Sequence, residues 1–362
     1  MGLSTGKPDH AGRGPAAHRR PGRRKAPPRL RPARGADHLI LATLAVLGFL
    51  ATACSAEALR IATWHADLSR DGPGLLLRDL MGDKDKAATA AIAELAAMGA
   101  DIVVLTHVDY DAGHAALTAL RDRLRSEGVD YPHLFALRPN SGTPTGRDMD
   151  GDGRLGGPRD AQGYGRFAGQ GGLAVLSRLP FGPAVDMSPM LWRDLPGSRI
   201  AADDPGHDIQ RLSSTGHWRL PVQTPSGTLT LIVLAATPPV FDGPEDRNGR
   251  RNADEIALAG LMLDGVLPGG LERPDWPVIV GNLNLDPDRG DGLRSAVQAL
   301  LTHSRLQDPL PGLATVRWDS AGSMRVSYVL PGSAFTVTGA AVRNAVDGNG
   351  PHRPVWVDLR IP

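Results

Sequence analysis

Several short segments of the chain are apolar at nearly every position, and this constrains its fold more than any other feature. Asp101–Leu105 (DIVVL), Gly172–Leu176 (GLAVL) and Pro277–Gly281 (PVIVG) show no alternation with polar residues. A strand with one wet face alternates; a strand that is apolar throughout is covered on both faces. Ala58–Trp64 (ALRIATW) reads as another buried strand. The chain must therefore build sheets with material on either side.

The covering layers are legible as well. Lys84–Met98 (KDKAATAAIAELAAM) carries an apolar stripe at helical spacing, and Ala112–Ser126, Glu245–Leu263 and Leu293–Leu301 read as further helices. His217–Val222 and Thr228–Ala235 flank the turn Pro225-Ser226-Gly227 and predict a hairpin. Met324–Leu330, Ala334–Val342 and Val355–Ile361 make the C-terminus strand-rich. Helices and hairpins alternate in two halves, which fits two sheets packed face to face with helices outside. Trp64 and Trp356 are expected in the core.

The first 56 residues are of a different kind. Residues 1–37 hold eight Arg and two Lys among many Pro and Gly, a composition that cannot bury enough apolar surface to fold. Residues 38–56 contain the uncharged run Leu39–Ala53, whose 15 residues suit a signal-peptide core and fall short of the roughly 20 that a membrane span needs. The expectation is export to the periplasm or the medium, with an uncut N-terminal anchor as the alternative. Cys54 is the only cysteine, so no internal disulfide is available. It follows Ala51-Thr52-Ala53, which resembles a lipoprotein box with Ala where Leu is usual, so a membrane tether through Cys54 is a further expectation. The remaining domain, residues 57–362, has 30 basic and 37 acidic residues, a net charge of −7. Such a domain repels a polyanion, so nucleic acid is not favoured as a partner.

Six strand-end motifs, in order, resemble the endonuclease/exonuclease/phosphatase superfamily. They are Arg60–His65 (RIATWH), Asp101–His107 (DIVVLTH), Gly171–Pro180 (GGLAVLSRLP), Gly281–Pro287 (GNLNLDP), Arg325–Pro331 (RVSYVLP) and Pro351–Val355 (PHRPV). The resemblance spans residues 58–361. It implies an α/β fold, a four-layer α/β/β/α sandwich, with the site at the edge where the strands end. It also implies metal-dependent hydrolysis of a phosphoester, acting as phosphodiesterase or phosphatase on a phosphate-bearing small molecule or a phosphodiester. In that chemistry Mg²⁺ or Mn²⁺ on carboxylate and amide oxygens neutralises the phosphate and activates water.

The residues at those motifs depart from the family. His65 stands for the first-strand Asn, His107 for the metal-binding Glu, Ala235 for a His, Asn282 for the Asp of Gly-Asp-x-Asn, Ser327 for the Asp beside Tyr328, and Pro351 for the Asp that orients the last His. Asn284 and His352 stand as in the family. By this resemblance His352, Asn284 and Asn282 are the candidate catalytic residues. Hard dications want carboxylate oxygens, so the substitutions weaken the case for Mg²⁺. Three readings stay open. The domain is a pseudoenzyme, a binding protein using the same cleft; or the site is rewired, with the imidazoles of His65, His107 and His352 holding Zn²⁺ and Asp109 or Asp111 supplying a displaced carboxylate; or some Mg²⁺ chemistry remains.

Two further clusters carry expectations. Asp148, Asp150 and Asp152, interleaved with Gly151 and Gly153, resemble the start of a Ca²⁺ loop, although Arg159 occupies its twelfth position and Asp160 would have to substitute. Arg247, Arg250 and Arg251 could grip a phosphate, or simply sit on a helix whose N-terminal acids complement its dipole. The loop Arg159–Gln170, with Tyr164, Arg166 and Phe167, stands next to the third motif as a candidate substrate-facing loop.

Overall fold

The computed structural model describes residues 58–267 and 270–362. The basic leader, the apolar run and Cys54 lie outside the described residues. In chain order the elements are β1 (Leu59–Leu68), α1 (Leu75–Met81), α2 (Lys86–Met98), β2 (Ile102–Val108), α3 (Ala115–Ser126), β3 (His133–Phe135), β4 (Gly172–Ser177), β5 (Val185–Asp186), β6 (Gly216–Thr224) and β7 (Gly227–Ala235). There follow α4 (Arg247–Asp264), β8 (Trp276–Asn282), α5 (Ser295–Leu301), β9 (Val316–Trp318), β10 (Gly322–Met324), β11 (Ser327–Pro331), β12 (Thr336–Val342) and β13 (Val355–Arg360). No helix among the described residues is long and apolar enough to cross a membrane.

The strands form two large sheets, ordered β12-β13-β1-β2-β4-β3 and β11-β8-β7-β6-β5, and β9 with β10 makes a separate hairpin. The unbroken apolar runs are explained by three cores. Ile61, Ile102, Val104 and Val175 of the first sheet meet Leu231, Val233, Val278 and Val280 of the second. The opposite face of the first sheet, with Trp64, Val103, Leu105 and Leu176, packs on Leu80, Ile92, Leu95 and Leu120 of α1–α3. The outer face of the second, with Ile232, Leu234, Ile279 and Tyr328, packs on Ile256, Leu263 and Val297 of α4 and α5. The period of two therefore assigns neighbours in one strand to different cores, and most positions are buried. The four-layer α/β/β/α sandwich expected from the sequence is the fold.

Several elements were not legible. The short α1, the three-residue β3, β5 and the β9–β10 hairpin are too brief to show a period. β1 also continues four residues past Trp64, to Leu68. Its last turn of ladder is irregular: His65 pairs with Thr106 and Leu68 with Val108, leaving Ala66, Asp67 and His107 between them. The β2–β4 ladder shifts at the same level, between Thr106 and Val108. Bulges re-aim side chains, and these two lie at the edge where the site forms.

Candidate functional site

A cleft of about 910 Å³ opens at the strand ends, lined from both sheets and from the loops that follow them. At its floor stand three imidazoles, supplied by β1 (His65), β2 (His107) and the approach to β13 (His352). They form a column. His65 stacks on His107 with ring centroids 4.7 Å apart and planes 10° apart. Its other face meets His352 at 4.2 Å and 27°. Trp318 closes the column edge-on against His352 at 5.6 Å.

The hydrogen bonds fix how the central ring is used. Asn284 donates its backbone N–H to Asn282 Oδ1 (3.2 Å), so the Asn282 amide nitrogen faces the other way. That Nδ2 lies 3.1 Å from His65 Nδ1 and 3.0 Å from Asn284 Oδ1. An amide nitrogen only donates, so His65 Nδ1 accepts and the ring proton belongs on Nε2. Thr106 Oγ1 also sits 3.1 Å from the same Nδ1. Burial, with His352 and His107 nearby, holds His65 well below the usual imidazole pKa. Burial also lowers His352 to about 4, and its Nδ1 has no partner among the described residues. The His352 carbonyl accepts from Trp64 Nε1 (3.2 Å), so Trp64 in the core anchors the loop that carries the last ring.

The Asp67 carboxylate, which the sequence did not single out, lies in this cleft with its Oδ1 2.9 Å from His107 Nδ1. His107 and Arg70 hold Asp67 below the ordinary carboxylate pKa, although partial burial opposes them. Asp67, His107 and Asn284 all have positive φ (48°, 62° and 51°). Gly171 (φ 60°) lies against His107; a Cβ there would come within 2.9 Å of His107 Cδ2.

The other expected residues fall elsewhere. Asp109 does not face the column: Oδ1 accepts from Ser69 Oγ (2.7 Å) and Gly171 N (3.0 Å), and Oδ2 from Arg70 N (2.8 Å). Asp111 accepts from the backbone of Gly113, Ala115 and Ala116 and so caps α3. These carboxylates fix loops and are spent as acceptors. His65, His107 and Asp109 are therefore not assembled as a ligand set. Among the described residues, the one group of three His, Cys, Asp or Glu side chains with ligand atoms mutually within 4.8 Å is Asp148, Asp150 and Asp152. In that loop Asp148 accepts from the backbone N–H of Gly151, Asp152 and Gly153. Asp160 does not complete it, because its oxygens bind Met149 N (2.8 Å) and Gly157 N (2.9 Å).

The arginine trio also serves the fold. Arg247 pairs with Asp204 (2.7 Å) and Gln210 (3.0 Å), Arg250 donates to Arg199 O (2.9 Å), and buried Arg251 donates to the carbonyls of Leu212 (2.8 Å), Arg211 (2.8 Å) and Gln162 (2.5 Å). Two interior polar residues of α4, Glu255 and Asn252, hold the cleft wall. Glu255 accepts from Ser214 N (2.5 Å), Ser214 Oγ (2.8 Å) and Thr237 N (2.6 Å), and Asn252 binds the carbonyls of Thr237 and Leu283. Asp254 binds Trp192 Nε1 and Arg199. The guanidiniums that do line the cleft are Arg70, Arg166 and Arg289. Arg70 is paired with Asp79 and Arg166 with Asp71. Arg289 donates to the carbonyl of Ser323 (3.2 Å), and no described carboxylate pairs with it. Of the loop Arg159–Gln170, Tyr164, Arg166 and Gln170 reach the cleft.

Two sheets back to back, helices on both outer faces and a cleft at the strand ends define a four-layer α/β/β/α sandwich with its site at the strand ends. The chain belongs to the endonuclease/exonuclease/phosphatase family, whose profile matches residues 80–349. An endonuclease/exonuclease/phosphatase structure from Beutenbergia cavernae is 20% identical, with a TM-score of 0.54 over 84% of this chain and 72% of that one. A family protein from Leptotrichia buccalis is 12% identical, with a TM-score of 0.52 over 83% and 99%. A Staphylococcus aureus beta toxin variant, solved with bound magnesium ions, is 12% identical at a TM-score of 0.48 over 84% and 100%. No curated protein matches this chain significantly.

Proposed function

We propose that this is an exported member of the family whose cleft takes a phosphate ester, and in which the Mg²⁺- or Mn²⁺-dependent hydrolysis is weak or lost. The stacked column of His107, His65 and His352 carries this reading. A hard dication needs several convergent oxygens, chiefly carboxylates. Here the side chains at the corresponding positions are imidazoles, two amides and Ser327, whose buried Oγ has no partner among the described residues. Asp67 lies against His107; of the other carboxylates lining the cleft, Asp71 pairs with Arg166 and Asp286 accepts from the backbone of Asp288, Arg289 and Arg325. The donor set does not fit Mg²⁺ or Mn²⁺. Zn²⁺ would suit the ligand types, but the rings stack face to face, and His65 Nδ1 is already an acceptor for Asn282.

Arg289 at the rim supports an ester with an anionic group, since an unpaired guanidinium offers a fork for phosphate oxygens. The acidic balance of residues 57–362 argues for a small ligand over a polyanion. Export rests on the leader, and Cys54 supports a lipid tether to the membrane. The alternative within the same cleft is a binding protein with no turnover. The test is hydrolysis of p-nitrophenyl phosphate and its diester by the full chain with Mg²⁺, Mn²⁺ and Zn²⁺, alongside binding of p-nitrophenyl phosphate. Binding with no stimulation by any metal is expected. Metal-stimulated turnover abolished in His352→Ala would establish the family's ordinary mechanism instead.

A further inference from the structure

At the edge of the first sheet two neighbouring strands break their ladder at the same level, and the break brings one Asp to one His. Asp67 (φ 48°) and His107 (φ 62°) both occupy the left-handed region. Strain of this kind is retained where a side chain must point somewhere particular. The result is a carboxylate oxygen 2.9 Å from an imidazole Nδ1, in the cleft, with the two side chains 44% and 38% exposed. His352, by contrast, is buried, and His65, half-buried, lies between the other two rings.

We propose that His107 is a metal-independent general base for hydrolysis of the ester bound in the cleft, with Asp67 as its positioning residue. The proposal rests on the phosphate-ester reading above. Once aligned as the acceptor of Nδ1–H, Asp67 keeps the ring proton on that nitrogen and leaves the Nε2 lone pair available. The Asp67–His107 approach is short but lies outside hydrogen-bond alignment in the free protein. Such contacts commonly tighten only when substrate is bound. His65 stacks on the ring at 4.7 Å, and glycine at 171 leaves the space it occupies, where a Cβ would come within 2.9 Å of Cδ2. The pair is distinct from the last His of the fold, whose orienting position is Pro351 in this chain.

The step needs only water. His107 Nε2 takes a proton from water as the water oxygen bonds to phosphorus. The phosphorus–oxygen bond to the leaving group breaks, and its electron pair departs with the ester oxygen. The imidazolium then returns the proton to that oxygen or to solvent, and neutral His107 is restored.

The experiment uses the full chain after exhaustive EDTA treatment, with p-nitrophenyl phosphate and its diester as probes. Slow, EDTA-resistant hydrolysis is expected. His107→Ala should lower kcat by about 100-fold or more, the usual contribution of a positioned base, and added imidazole should restore part of it. Asp67→Asn should lower kcat by about tenfold with KM within about twofold, and Asp67→Glu should recover some of the loss. Thermal melts establish that each variant is folded. Bound ester without EDTA-resistant turnover overturns the dyad and leaves the phosphate-ester reading intact. No binding of the ester overturns both. Turnover unchanged in His107→Ala, or a folded His107→Ala that imidazole does not rescue, overturns the role of His107.

Discussion

Asn282 donates its side-chain N–H to Nδ1 of His65 across 3.1 Å, with its own orientation fixed by the Asn284 backbone. The family's motif has Asp at position 282. A carboxylate there would accept from His65 and move the ring proton to Nδ1, freeing Nε2 as a lone pair. Long-range ¹H–¹⁵N spectra should therefore show His65 as the Nε2–H tautomer, and Asn282→Asp should convert it to Nδ1–H. An Nδ1–H signal in the unsubstituted protein would contradict the assigned amide orientation.

The buried histidines make stability depend on pH. His352 is lowered to about 4 and His217 to about 3, each chiefly by burial. Their folded values lie below the unfolded value of about 6.5, so the unfolded chain binds more protons between those limits. Stability is complete above pH 6.5 and is lost as pH falls toward 4 and then 3, at up to about 1.4 kcal/mol per pH unit for each group. Melts at pH 7, 5.5 and 4.5 should show the loss. His352→Gln should flatten it in that window, and an unchanged slope would remove His352 from the account.

Glu255 is buried, and burial raises its pKa, yet its three hydrogen bonds tie α4 to Ser214 and Thr237 in the cleft wall. Glu255→Ala leaves buried N–H donors without acceptors and should cost about 3 kcal/mol in urea unfolding. Glu255→Gln keeps one acceptor oxygen and should cost less. Equal losses would show that packing, and not hydrogen bonding, dominates at this position.

Gly171→Ala sets a Cβ 2.9 Å from His107 Cδ2 at a backbone φ of 60°. The expected destabilisation is about 1–2 kcal/mol. A distal position such as Gly128 (φ 84°), where a Cβ meets nothing within 4 Å, serves as the control for backbone strain alone. Comparable losses at both sites, with the His107 ring signals unmoved, would mean that the ring position does not depend on glycine at 171.

Much of the fold was legible because burial on both faces leaves a plain trace. Val103 and Val104 go to opposite cores, and neither tolerates a polar residue, so the run DIVVL announces a covered sheet. The six strand-end motifs then place His65, His107, Asn282, Asn284 and His352 near one another, and they do line one cleft. Chemistry was less legible, because a residue type does not state which of its atoms are free. Asp109 and the arginines at 247, 250 and 251 have the right charges for a site, but their partners are backbone groups and carboxylates brought from distant segments. Asp67 carried no motif. Its place in the cleft depends on a bulge, which no local pattern announces. The sequence alone determined the layers, which follow from the period and extent of apolar burial, and, through the family resemblance of its motifs, which strand ends meet. Only the tertiary structure decided that three imidazoles stack, that Asn282 donates to one of them, and that Asp67 faces His107. Those relations are set by ladder irregularities and ring planes, which depend on contacts between residues far apart in the chain.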